Sequence, residues 1–254
     1  MVKGLEVFKH FFCKYKDQYV LIGGSACDIL LEDADMTFRA TRDLDVVLIV
    51  ESLTPEFGRA FWDFIKAGRY RNRSRSSGVS QFYRFDKPET AGFPYMLELF
   101  SKQPVNMSLR GKEHTLMPLH IDDEISSLSA ILLNESYYQM LLAGQRQLDG
   151  LMLLGPEYII AFKAKAWLEL SDKKKNGFHV DEKDIKKHKS DIARLTAILE
   201  GRVIQHLPEE VRIDMERFIA LYEREPADLK ALRIKNITNE EITGRLREVF
   251  ISVD

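Results

Sequence analysis

Two aspartates near the start of the chain have a spacing that suits metal chemistry. Asp43 and Asp45 lead into the apolar run Val46–Val50, which has the length of a buried strand. Because side chains alternate along a strand, both carboxylates should point to one face. Two such carboxylates repel each other unless a cation lies between them, and Mg²⁺ binds carboxylates together with phosphate oxygens and water. The pair therefore predicts a site for Mg²⁺ or Mn²⁺ with Asp43 and Asp45 as ligands.

A glycine pair precedes these aspartates in a context that suits phosphate binding. The run Tyr19–Ile22 predicts a strand, Gly23 and Gly24 a turn, and Ala26–Asp33 a helix. Glycine lets the backbone approach a ligand closely, and the first N–H groups of a helix can bind anionic phosphate. We expect Ser25 at the N-cap, where its hydroxyl adds a contact. An acid pair that faces such a turn is typical of sites for phosphoryl or nucleotidyl transfer.

The combined pattern resembles the signature of the polymerase-β-type nucleotidyltransferases. Gly-Gly-Ser-Ala at 23–26 is followed by R-x-T-x-D-L-D at 39–45, the form found in the abortive-infection nucleotidyltransferases of the AbiEii/AbiGii toxin family. A lone Gly-Gly is usually only a turn, and a lone D-x-D is usually a solvated strand end. The resemblance implies a nucleotide site with these members: Gly23, Gly24, Ser25, Arg39 and Thr41.

Glu98 is a carboxylate in the middle of a strongly apolar segment, Phe93–Phe100, which predicts a further strand. Such a residue is rarely buried without a partner. The resemblance supplies one, because the nucleotidyltransferase fold carries a third acid on a strand beside the D-x-D strand. Glu98 would then be a metal ligand, or would accept the proton of the acceptor. The alternative is a glutamate on a solvent-facing strand surface.

The second half of the chain contains a lysine on the apolar stripe of a predicted helix. This helix begins at Pro156 and extends to about Leu170, and Lys163 falls on its buried face. A buried ammonium requires an anionic partner, and the candidates are Asp191 and the triphosphate. We expect Lys163→Met to preserve stability and to weaken nucleotide binding.

The resemblance extends to this second half. The toxin-like nucleotidyltransferases carry a helix lysine followed by a K-D-x-x-D-L motif, and Lys163 and Asp191 match those positions. It therefore implies that both belong to the catalytic residues and that Lys163 also binds the nucleotide. His188 stands where the family usually has aspartate, which leaves the role of this position open.

Two basic runs are candidates for contacts with phosphates. The first, Arg69–Arg75, has arginines at every second position and predicts an exposed edge strand. The second, Lys173–Lys175, lies in a predicted loop over 171–180. Each run is either a solvated surface or, where the acceptor is RNA, a contact for its backbone.

Composition and charge exclude several classes of protein. The 254 residues carry 37 basic and 39 acidic side chains, so the net charge is −2 and any nucleic-acid binding must use a local patch. Cys13 and Cys27 imply neither a disulfide framework nor a cysteine-rich zinc site, which fits a reducing cytoplasm. No apolar run is long enough to cross a membrane, and 3–16 predicts an amphipathic helix instead of a signal peptide.

Strand patterns dominate the first half and helical patterns the second, which predicts an α+β fold. We expect strands at 19–22, 46–50, 81–85, 93–100, 114–121 and 147–154. We expect helices at 3–16, 26–33, 135–143, 156–170, 181–200 and 239–250, with two more starting at 54–55 and 207–208. The stretch 122–134 has no firm assignment. The resemblance makes 1–155 a mixed-sheet nucleotidyltransferase core and 156–254 a helical domain packed on the active-site cleft.

Two functions follow from these patterns. The first is a Mg²⁺-dependent enzyme that transfers a nucleoside monophosphate from a nucleoside triphosphate to an acceptor hydroxyl. The resemblance implies a toxin of a toxin–antitoxin or abortive-infection system, with tRNA, another RNA or a protein as acceptor and a cognate antitoxin as partner. The second is a catalytically degenerate module that binds a nucleotide or RNA and regulates another process.

Overall fold

A computed structural model describes residues 3–39, 41–74, 80–102, 105–109, 112–116, 131–132, 134–201 and 204–251, with the side chains at 72–83 and 105–116 left aside. The chain forms two compact units. The first consists of Met1–Ile125 and Gln145–Leu154, and the second of Ser126–Gly144 and Gly155–Asp254. A division at residue 155 alone, as the sequence pattern suggests, would place 126–144 in the first unit.

The first unit contains the sheet. Its helices are α1 (Leu5–Phe12), α2 (Gly23–Asp33) and α3 (Pro55–Gly68). Its strands are β1 (Tyr19–Ile22), β2 (Asp43–Leu48), β3 (Arg71–Ser74), β4 (Ser80–Asp86), β5 (Met96–Phe100), β6 (Val105–Leu109), β7 (Lys112–Leu116), β8 (Gln145–Leu148) and β9 (Leu151–Leu154). Together with the helices of the second unit, these elements confirm the α+β class.

Across the described residues, seven strands form one mixed sheet in the order β3-β4-β5-β2-β1-β9-β8, and β6 pairs separately with β7. Strand β2 lies at its centre, antiparallel to β1 and parallel to β5. Strand β3 lies at the edge, as its basic composition predicts. Of the arginines in that run, Arg69 lies outside the strand as the C-cap of α3, with a φ of 51°.

Apolar burial explains why the centre of the sheet forms here. All four residues of β1 are buried, and Leu44 and Val46 of β2 are buried opposite the two aspartates. Helix α1 covers this region with Phe8, whose ring lies 5.3 Å from that of Tyr19 in an edge-to-face arrangement. This apolar core therefore fixes the position of β1 and β2, and with it the position of the two aspartates on β2.

Two elements start earlier than the sequence pattern suggests. Helix α2 begins at Gly23, so the glycine pair forms its first turn and Ile22 is its N-cap. The expectation of Ser25 at the N-cap is wrong. Strand β2 begins at Asp43, so both aspartates lie within the strand.

The segment expected as a single strand over 147–154 is a hairpin of β8 and β9. Its turn consists of Asp149 and Gly150, both with positive φ, at 45° and 76°. Asp-Gly is the preferred pair for such a two-residue turn, so the signal for this hairpin is present in the sequence. The strand expected at 114–121 is described only to residue 116, where it pairs with β6, and Pro118 lies outside the described residues.

The second unit is helical. It contains α4 (Glu135–Ala143), α5 (Pro156–Lys175), α6 (Glu182–Ala197), α7 (Glu209–Arg224) and α8 (Asn239–Phe250). Helix α5 continues five residues beyond the expected end at Leu170, into the run Lys173–Lys175, whose positive charges suit the C-terminal end of a helix dipole. Helix α8 begins with a complete capping box between Thr238 and Glu241. In the described part of the chain, no helix has the length and apolar character that a membrane crossing requires.

Candidate active site

The loop before β2 and the start of α2 meet at the glycine pair. Gly23 follows β1 directly and has a φ of 65°, a conformation that residues with a side chain rarely adopt. A Cβ atom built on Gly23 would lie only 2.0 Å from Oδ2 of Asp45. The strand register pairs Ile22 with Asp45, which brings this carboxylate beside the beginning of the helix. Glycine is therefore required at position 23 by both its backbone conformation and the space that Asp45 occupies.

Gly24 has a similar relation to the segment that precedes β2. A Cβ atom at this position would lie 2.9 Å from Oγ1 of Thr41 and 3.4 Å from Nη2 of Arg39. The two residues that the resemblance singles out as nucleotide-binding thus pack against the first turn of α2. The guanidinium of Arg39 lies 4.9 Å from the centre of the Phe38 ring, a cation–π contact. The guanidinium of Arg39, the hydroxyl of Thr41 and the N–H groups at the start of α2 therefore lie close together.

Asp43 and Asp45 point to the same face of β2, as predicted from the alternation of side chains. Both are half-buried, while Leu44 between them is fully buried on the other face. Two carboxylates on one face repel each other, and a cation bound between them would relieve this repulsion.

Glu98 lies directly beside Asp45 on the neighbouring parallel strand, because the β2–β5 register pairs these two residues. Its carboxylate forms an ion pair with Arg84 of β4, the residue opposite it on the other side. The side chain of Glu98 is 14% exposed and that of Arg84 is 32% exposed. The reading of Glu98 as an acid on an open, solvent-facing surface does not match this burial. Its role as a metal ligand or proton acceptor stays a prediction.

Ser25 is placed differently from the expectation. Its side chain is fully buried within the first turn of α2, and its hydroxyl donates a hydrogen bond of 3.1 Å to the carbonyl of Ile22. In this arrangement the side chain stabilises the junction of β1 and α2. Phosphate contacts at this turn would therefore use the backbone N–H groups instead of the Ser25 hydroxyl.

The carboxylates of this site fit a divalent ion only when a substrate also supplies ligands. Among the residues that the structure describes, no group of three or more His, Cys, Asp or Glu side chains is placed to hold a metal ion. Mg²⁺ usually takes one or two carboxylates and completes its shell with substrate phosphates and water. Asp43 and Asp45 beside a helix start fit that kind of site, for Mg²⁺ or Mn²⁺, and do not fit a cage of protein ligands alone.

The second unit contains the ion pair that the apolar stripe of α5 predicts. Nζ of Lys163 donates a hydrogen bond of 2.8 Å to Oδ2 of Asp191 on α6. Lys163 is 6% exposed and Asp191 is 0% exposed, so the pair is buried. The prediction that Lys163 has an anionic partner is confirmed. Contact of this lysine with a nucleotide stays a prediction, as does the role of His188, which lies one turn before Asp191.

A second polar network joins three helices of the same unit and was not predicted. Asp214 of α7 accepts hydrogen bonds of 2.9 Å from Nζ of Lys165 and from the hydroxyl of Tyr137. Burial, together with the charge of Asp214, raises the pKa of Tyr137 far above its ordinary value. The phenol therefore acts as a donor that ties α4 to α7. Sequence offers no signal for this network, because its members are far apart in the chain.

The chain matches no protein-family model, and no curated protein and no solved structure matches it. The geometry of the two clusters is therefore the basis for a functional proposal.

Proposed function

We propose that the protein is a Mg²⁺-dependent nucleotidyltransferase with its reaction centre on the first unit. The observation that carries the proposal is the packing of the R-x-T-x-D-L-D segment onto the glycine pair. Asp45 lies against Gly23, and Thr41 and Arg39 lie against Gly24. This packing supports a proposal in which the acid pair would hold a metal and the nearby N–H groups and guanidinium would bind phosphates, the combination that transfer from a triphosphate requires.

In the proposed reaction, the oxygen of an acceptor hydroxyl forms a bond to the α-phosphorus of a nucleoside triphosphate. The bond from this phosphorus to the bridging oxygen breaks, pyrophosphate leaves, and the hydroxyl proton passes to a base. Asp43 and Asp45 would hold Mg²⁺ or Mn²⁺, which when bound supplies neutralising charge at the phosphates. The Gly23 and Gly24 amides would bind the triphosphate from the helix start.

The remaining residues have supporting roles in this proposal. Arg39 and Thr41 would hold phosphate oxygens beside Gly24. Glu98, next to Asp45, would accept the acceptor's proton or join the metal ligands. For Lys163, which Asp191 holds in place within the second unit, the resemblance alone suggests neutralisation of the triphosphate charge.

The fold and the biological setting follow the same resemblance. The arrangement of β1, α2, β2 and β5 supports a nucleotidyltransferase-type sheet, with the acid of β5 beside those of β2. By resemblance we propose a cytoplasmic toxin-type enzyme of a toxin–antitoxin or abortive-infection system. Its acceptor would be tRNA, another RNA or a protein, and an antitoxin would be its partner.

A transfer assay tests the proposal. The protein is incubated with each α-labelled nucleoside triphosphate, Mg²⁺, and either total RNA or total protein. We expect label in one acceptor class, loss of labelling with EDTA, and recovery with Mn²⁺. Absence of transfer from all four triphosphates to both acceptor classes would contradict the proposal.

Two observations favour a second candidate, a nucleotide- or RNA-binding regulatory module without catalysis. Glu98 is engaged by Arg84, and the described residues contain no cluster of three metal-binding side chains. A module of this kind would bind a triphosphate without forming pyrophosphate. Equilibrium binding of labelled triphosphates, measured beside the transfer assay, distinguishes the two candidates.

A further inference from the structure

Three charged residues form a row across neighbouring strands of the first unit. The register pairs Asp45 of β2 with Glu98 of β5, and Glu98 with Arg84 of β4. Residues that are paired directly across strands share a face of the sheet, so the three side chains lie side by side. The order of charges along this row is negative, negative, positive.

The ion pair between Arg84 and Glu98 competes with a metal for the same carboxylate. An arginine–carboxylate pair is a charge-assisted interaction, and the side chain of Glu98 is mostly buried while that of Arg84 is partly exposed. The guanidinium also adds one positive charge beside Asp45, which lowers the affinity of the acid pair for any cation. Without a nucleotide, Glu98 is therefore engaged by Arg84 and is not offered to a divalent ion.

One donor atom of this ion pair is left unsatisfied by the residues that the structure describes. Nε of Arg84 is buried and has no hydrogen-bond partner in the described part of the chain. An unsatisfied buried donor carries a desolvation cost, which reduces the net stability that the pair contributes. A triphosphate bound at Gly23 and Gly24 would bring oxygens that serve both as metal ligands and as acceptors for arginine.

We propose that Arg84 is a positioning residue that occupies Glu98 in the absence of nucleotide and so makes metal binding depend on the triphosphate. This inference rests on the proposed function, because it takes Asp43 and Asp45 as the metal ligands. Arg84 acts through Glu98 and does not itself contact the ion.

Binding of Mn²⁺ alone tests the inference, measured without nucleotide by titration calorimetry and by the loss of the free-ion paramagnetic resonance signal. Arg84→Met should bind Mn²⁺ more tightly than the wild type by on the order of tenfold, because an adjacent arginine weakens the binding of a proton to a carboxylate by at least that factor. Arg84→Lys, which keeps the charge, should stay near the wild type. Arg59→Met removes an exposed arginine of α3 and controls for net charge.

Two further variants decide whether Glu98 is the intermediary. Glu98→Gln should bind Mn²⁺ no more tightly than the wild type, because Arg84 already occupies this carboxylate and its loss leaves the guanidinium charge unpaired beside Asp45. In Arg84→Met/Glu98→Gln the gain should disappear. Tighter binding of Mn²⁺ by Glu98→Gln alone would overturn the inference, and this variant suffices if Arg84→Met does not fold.

The inference is also overturned if Arg84→Met binds Mn²⁺ no better than the wild type, or if its gain persists without Glu98. Transfer by the wild type is assayed on the same preparations. Active wild type with no gain in Arg84→Met would refute only the role of Arg84. The predicted gain with no transfer from any triphosphate would refute only the proposed function.

Discussion

Replacing Gly23 with alanine probes the contact on which the candidate site depends. The structure gives two reasons why a side chain is excluded here, the φ of 65° and the carboxylate of Asp45 at 2.0 Å from the new Cβ. Gly92 provides a matched control in the same unit, because its φ is 89° and a Cβ there would have no atom within 4 Å. The two variants share the backbone strain and differ in the collision.

The magnitudes follow from these two terms. An alanine with left-handed backbone costs about 1–2 kcal/mol, so Gly92→Ala should lose about that much unfolding free energy. Gly23→Ala should lose about 1–3 kcal/mol more, the usual cost of forcing an extra methyl group into a packed site. Because Asp45 is the group that must move, we expect transfer activity to fall with stability in Gly23→Ala and to be unchanged in Gly92→Ala.

Urea unfolding monitored by circular dichroism measures the first effect, and the labelled transfer assay measures the second. Equal destabilisation of the two variants would show that Asp45 does not occupy the space beside Gly23. Full activity in Gly23→Ala would show that transfer does not depend on the contact between Gly23 and Asp45, and would refute the reasoning.

Three other predictions concern the rest of the chain. Lys163→Met should destabilise the protein by about 3–5 kcal/mol, because it leaves the fully buried Asp191 without its cation, and Lys163→Met/Asp191→Leu should recover most of this loss in urea unfolding. Burial raises the pKa of Glu169. The stability that this side chain contributes is therefore fully present below the ordinary pKa of a glutamate and is lost as the pH rises through the raised pKa. The stability of Glu169→Gln relative to the wild type should therefore increase from about pH 4 to about pH 7. A stability difference that is the same at both pH values would contradict this prediction. If RNA is the acceptor, replacing the exposed lysines Lys173–Lys175 with glutamine should weaken RNA binding and lower its salt dependence, and a salt-independent reaction would point to another acceptor.

The parts of the site that depend on local pattern could be predicted from sequence. The alternation in β2 places Asp43 and Asp45 on one face, and the apolar stripe of α5 predicts a buried Lys163 with an anionic partner. In each case the periodicity of one element decides the direction of the side chain. The sequence pattern predicts that Lys163→Met keeps its stability, whereas the complete burial of Asp191, a tertiary property, leads to the prediction of a loss.

The parts that depend on contacts between elements could not be predicted. Nothing local in β4 or β5 fixes their register, so the pairing of Arg84 with Glu98 was not foreseen. Ser25 was expected at the N-cap because serine favours that position, but the positive φ of Gly23 lets the helix start three residues earlier. Tertiary packing of Asp45, Thr41 and Arg39 against the glycines thus determines the local geometry.

Nucleotidyl transfer by Asp45→Asn tests the central claim most directly. The substitution keeps the size of the side chain and removes one of the two charges proposed to hold the metal. We predict that transfer falls to below about 1% of wild type, since loss of one charge-stabilising group costs about 10²–10³ in kcat. Unfolding stability should stay unchanged or rise, because the repulsion with Asp43 is relieved. Asp63→Asn, an exposed aspartate of α3, should retain full activity. Transfer near the wild-type rate by a folded Asp45→Asn would contradict the proposed metal site and the nucleotidyltransferase function with it.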